Sequence, residues 1–181
     1  MKNILTIPFF ICGLVSTALF ARLSDVNVHS YWYQWVPGPL FVLTALLVTL
    51  FSGVTLSLLN ASIFAAANIL LYALVFGGTA LLGGAGFLVG IFTGVLGAYV
   101  FLRLANHYIT PMRFSSLSVW MAGGLPFFLN FFFFISGLPG YIWQAHPGTD
   151  QLSISLAPVF LIWQTLVGRL YIHGLYLDRP D

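Results

Sequence analysis

Glutamate is absent from this chain, and from Val26 to Leu102 there is no Asp, Lys or Arg either. A water-soluble domain spreads charge over its surface. A chain of 181 residues that is 60% hydrophobic and 6% charged is instead written for lipid. The four acids, Asp25, Asp150, Asp178 and Asp181, all lie outside the long apolar runs. Intramembrane carboxylates are the commonest relays for protons and cations. Their absence argues against a proton-coupled antiporter, a rotor ring and an acid-lined cation pore. Metal-dependent lipid enzymes need clustered Asp, Glu or His. No such cluster is visible, so no metal site, catalytic residue or cofactor is expected. Ser52-Gly53 and Ser136-Gly137 superficially match part of an intramembrane serine protease, but no His stands at a readable spacing from either serine. The single cysteine, Cys12, has no partner for an internal disulfide. The six basic residues form no run, which excludes a nucleic-acid partner.

What the chain does have is apolar sequence in long blocks. A transmembrane barrel would show segments of about 10 residues alternating apolar and polar. Phe41 to Leu50 and Phe127 to Ile135 are apolar on every face, so the fold class is all-α. The pattern predicts one integral membrane domain of six helices, at about residues 4–21, 39–59, 61–76, 84–106, 116–136 and 154–176. Lys2 and the apolar run from Ile4 to Phe20 resemble a signal peptide; the segment is read here as a retained first crossing. Asn60 falls in a tight turn between the second and third helices, and Gly77-Gly78 ends the third. Tyr31, Trp32, Tyr33 and Trp35 form one aromatic cluster suited to the membrane–water interface, and Tyr141 and Trp143 belong to a second. With six crossings, Lys2, Arg103, Arg113, Arg169 and Arg179 fall on one side and Arg22 on the other. The positive-inside rule then puts both termini in the cytoplasm, in a bacterial inner (plasma) membrane.

Three polar or small-residue patterns are candidates for function. Gly86, Gly90 and Gly94 recur every four residues, with Gly97 close to the same stripe, and mark a face for tight helix packing. That face could meet a helix of this chain or a second copy. Arg103 and His107 are four apart near the end of the fourth helix, as are Arg169 and His173 in the sixth. If those helices are neighbours, the four groups converge as a site for a phosphate, a lipid headgroup or another anion. Interfacial anchoring of Arg is the competing explanation. Pro126, after Gly123-Gly124-Leu125, predicts a midplane kink in the fifth helix, with Asn130 one turn on. Together with the intramembrane amides Asn68 and Gln164, these are candidates for contact with a solute.

The function expected from this set is transport, or a channel-like role, for a neutral or anionic small solute, with the chain acting as an oligomer among membrane lipids. The alternative is a non-catalytic accessory, sensor or anchoring subunit of a larger membrane complex. A b-type haem protein is a remote third, since His107 and His173 share one side and His29 and His146 the other, but no spacing selects haem.

Overall fold

Residues 4–22, 35–81, 86–137 and 151–177 are described by a computed structural model. They form α1 (Ile7–Arg22), entered through a 3-10 turn at Ile4–Thr6, then α2 (Pro37–Phe51), α3 (Leu58–Leu81), α4 (Gly86–Tyr108), α5 (Ser116–Ile135) and α6 (Gln151–Leu177). No strand occurs among the described residues. Three helices are long and apolar enough to cross a membrane, over Leu58–Val75, Val89–Tyr108 and Ser116–Phe133; α1 and α2 are shorter apolar helices.

Each helix packs on the next in chain order, and α6 returns against α1, so the six close a ring. The outer surface is apolar: Leu43, Leu58, Leu70, Phe92, Leu117 and Phe132 are all exposed. Helices apolar on every side suit a lipid solvent, where the backbone must bond to itself and a helix does so within one segment.

Two boundaries differ from those the sequence predicts. The second helix ends at Phe51, well before residue 59, because Gly53 takes φ +71°. That left-handed conformation closes a helix C-terminus at little cost only for glycine. Ser57 then starts α3 by accepting a hydrogen bond from the Asn60 N–H at 3.1 Å. Asn60 therefore lies in the first turn of α3 rather than in a tight turn, and Ser57 is its N-cap. At the other end α3 runs through Gly77-Gly78 to Leu81. Glycine costs a helix about 1 kcal/mol, and in lipid an unbonded backbone group costs more than that. The fifth helix is likewise assigned as continuous through Pro126.

Ring closure depends on small residues at two seams. Gly94 in α4 and Gly123 in α5 bring the two backbones together: a Cβ built on Gly123 would stand 2.5 Å from the Val95 Cα. On the α1–α6 seam, Gly13 faces the Leu161 backbone and Gly168 seats the Phe9 ring. Inside the ring lies an aromatic layer. Phe41 stacks at tilted angles on Phe9 (5.4 Å between centroids), Phe101 (4.9 Å) and Trp163 (5.3 Å). Phe101 continues it to Phe64 and Tyr171, both at 5.6 Å. Tyr171 is hydrogen-bonded through its hydroxyl to Thr49, which ties α6 to α2.

Candidate functional site

A cavity of about 140 Å³ lies within the ring, with walls from α2, α3, α4, α5 and α6. Its α2 and α3 contributions are Pro37 to Val42 and Asn68 to Val75, which place it toward the end of the bundle where α2 begins and α3 finishes. Toward the opposite end the aromatic layer closes it, Phe41 and Phe101 belonging to both. The remaining walls are apolar and aromatic, among them Leu71, Phe127, Val159 and Phe160, and no charged residue is among the described residues that line it.

Five side chains with polar groups line this cavity, Trp163, Gln164, Thr93, Asn68 and Tyr72, the last with its ring against Gly38, and the first four differ in what is left for a ligand. The Trp163 indole N–H donates to the Gly94 carbonyl at 3.1 Å. Gln164 is 2% exposed and engaged at both ends of its amide. Its Oε1 accepts from Ser16 at 3.1 Å and its Nε2 donates to the Pro37 carbonyl at 3.2 Å, so it ties α6 to α1 and α2. Thr93 donates back to the Val89 carbonyl in its own helix, at 2.8 Å. Asn68 is different. It is 4% exposed and its Nδ2 donates to the Phe64 carbonyl at 2.8 Å, while its Oδ1 is buried without a partner. A buried amide oxygen left unpaired costs about 1–3 kcal/mol. A ligand that donates one hydrogen bond would recover part of that.

The other sequence candidates lie elsewhere. Pro126 is fully buried in α5 and Asn130 half-buried beyond it, and neither lines the interior cavity. The Asn130 Oδ1 is also without a partner. From the fifth helix it is Phe127, filling the space over Gly90 and Gly94, that reaches the cavity. Gly97 faces Trp163. The glycine stripe is thus covered by α5 and α6 of the same chain at Gly90, Gly94 and Gly97, and is not a free seam for a second copy. The surroundings of Gly86 lie outside the described residues.

The two Arg-His pairs are not brought together. Arg103 is exposed on α4, where its Nε donates to the Tyr99 hydroxyl at 2.9 Å and its guanidinium lies 5.2 Å from that ring's centre. His107 is exposed against Tyr108. Arg169 and His173 instead line a separate groove of about 570 Å³ between the 3-10 turn before α1, α5 and α6, and no described residue of α4 lines it. The helices do meet, at Trp163 on Gly94 and Tyr171 on Phe101, but the convergence expected from the sequence fails because Arg103 and His107 lie on the exposed face of α4, away from that contact. His29, His146, the four acids and all but Trp35 of the two aromatic clusters lie outside the described residues.

Sequence had singled out Asn68 and Gln164 but could not say that one is unpaired and the other tied. Tyr72 and the aromatic layer were missed, since single aromatic residues scattered over five helices carry no spacing signal. No protein-family model matches the chain, and comparison with characterised proteins and with solved structures found no similar sequence or fold.

Proposed function

We propose that this chain is a six-crossing integral membrane protein, termini cytoplasmic, whose interior cavity holds a small uncharged molecule on its way across the membrane. The reading is supported above all by Asn68, a lining residue whose buried Oδ1 has no partner among the described residues, in a cavity whose described lining carries no charge. Absence of charge favours a neutral solute over an anionic one, because a charge moved into such walls without a counter-ion is heavily penalised. The aromatic layer across one end favours a binding site that is exposed to one side at a time over a continuous pore. Five of the six basic residues fall on one side of a six-crossing chain, and the positive-inside rule favours that side as the cytoplasmic one.

The size of the cavity suggests the probe. Apolar cavities of about 150 Å³ accept benzene. Phenol adds one O–H donor to that ring, and toluene has the same shape without it. In nanodiscs, the Trp163 indole N–H resonance of nitrogen-15-labelled protein, identified by its loss in Trp163→Phe, reports occupancy of the cavity. Phenol is expected to shift it with at least about fivefold higher affinity than toluene, the worth of a hydrogen bond of about 1 kcal/mol. Asn68→Leu should erase that preference. An indole signal indifferent to both compounds would refute the interior site.

A further inference from the structure

The groove at Arg169 and His173 carries features that the interior cavity does not explain. Its polar groups are Thr6, Ser118, Arg169 and His173, and its apolar wall includes Leu125 and Leu166. These are ordered by depth. Ser118 lies in the first turn of α5, where its N–H and hydroxyl both bond to the Ser115 hydroxyl, at 3.0 and 2.8 Å. Thr6 stands just ahead of α1. Arg169 and His173 come from the last turns of α6, which runs antiparallel to α5. Leu125 is seven residues along α5 from Ser118, and Leu166 seven before His173, so both lie roughly 10 Å deeper at the helical rise per residue. One end of the groove is therefore polar and cationic, at the level of two helix starts, and the rest is hydrocarbon.

Among the described residues, nothing pairs with the cationic end. Arg169 and His173 are both exposed, and neither has a hydrogen bond or ion pair among the described residues, in contrast to Arg103. The positive end of the α5 dipole points to the same place. An arginine fork matches a phosphate bidentately, and a groove open to lipid brings the apolar wall into contact with whatever chain that phosphate carries.

We infer that this groove is a binding site for an anionic phospholipid, with the headgroup phosphate at Arg169 and His173 and an acyl chain along Leu125 and Leu166. The site is separate from the interior cavity and would stand if that cavity proved empty. Arg169 sets affinity for the phosphate, His173 and Ser118 add donors beside it, and the leucine wall selects a lipid over a free anion.

Native mass spectrometry of the whole protein released from nanodiscs tests this, with phosphatidylglycerol and phosphatidylcholine of matched chains at equal mole fraction. The protein should retain phosphatidylglycerol at about tenfold higher occupancy. Arg169→Gln should abolish the preference, while Arg103→Gln, which removes an equal charge outside the groove, should leave it. Leu125→Trp, which fills the apolar wall and keeps both basic groups, should also reduce retention. Equal losses in Arg169→Gln and Arg103→Gln would reduce the effect to net charge and overturn the proposal. Displacement of the lipid by millimolar inorganic phosphate would also overturn it, since the groove would then hold a free anion. If Arg169→Gln does not express, His173→Gln with Ser118→Ala must lower the preference, and an unchanged ratio in that pair is equally fatal.

Discussion

A methyl group at Gly123 would meet the backbone of Val95, at 2.5 Å from its Cα and 2.8 Å from its nitrogen. Backbone cannot swing aside as a side chain can, so Gly123→Ala is expected to cost about 1–3 kcal/mol of stability. At Gly97 the same methyl would find only the edge of the Trp163 ring at 3.6 Å, an ordinary contact. Gly97→Ala should be neutral or stabilising by up to about 1 kcal/mol, through helix propensity. Unfolding in mixed micelles separates the two, and equal effects would contradict the assigned seam. The four-residue spacing showed that Gly90 and Gly94 share a face, but spacing names a face and not what covers it. Gln164 teaches a related lesson. Read along the chain it is one more intramembrane amide, and only the fold shows it joined to Ser16 and Pro37. Gln164→Leu should destabilise by about 1–3 kcal/mol, since it leaves the Ser16 hydroxyl without this acceptor. Asn68→Leu should cost the empty protein less, because its Oδ1 already lacks a partner.

At the scale of the helix, the α2–α3 junction is governed by two residues, Gly53 and Ser57. Gly53→Ala forces a side chain into φ +71° and should cost about 1 kcal/mol. Ser57→Ala removes the cap on the Asn60 N–H and should cost about as much. Helix content by circular dichroism should hold in both while the unfolding midpoint falls. Both signals were present in the sequence, Gly53 after an apolar run and Ser57 before the next. They were passed over because the run continues apolar through Val54 and Leu56, and hydropathy does not distinguish an extended apolar strand of backbone from a helix. The reverse error at Gly77-Gly78 has the same root: glycine is a stop only where a cap replaces the lost hydrogen bonds. Where turn residues and hydropathy agree, as they do with Pro111 and Ser115 ahead of the apolar run, the helix starts at Ser116, the first residue of the range 116–136 that the sequence predicts. The Met112 N–H donates to the Asn106 side-chain oxygen there at 2.6 Å, fastening the α4–α5 connection.

For the whole molecule, composition is enough to give an all-helical chain of apolar helices, because lipid leaves the backbone few alternatives. The order of the helices around the ring, and therefore the cavity, is not written locally. It depends on how Phe41, Phe64, Phe101, Trp163 and Tyr171, spread over four helices, fill a common centre. The separation of the two Arg-His pairs is set by which face of each helix is turned inward. Phe101 and Gly94 of α4 meet α6, so Arg103 is left exposed on its own helix, whereas Arg169 and His173 face the groove. The central claim is that the interior cavity receives a small uncharged molecule that hydrogen-bonds to Asn68. A crystal structure of the protein grown with 4-bromophenol tests it most directly, because bromine is located by its anomalous scattering. The account predicts a bromine peak inside the ring beside Phe41 and Trp163, with the phenol oxygen within hydrogen-bond distance of the Asn68 Oδ1, and no such peak in Asn68→Leu. Bromine found only on the lipid-facing surface, with the cavity empty or closed over by Phe127, would contradict it.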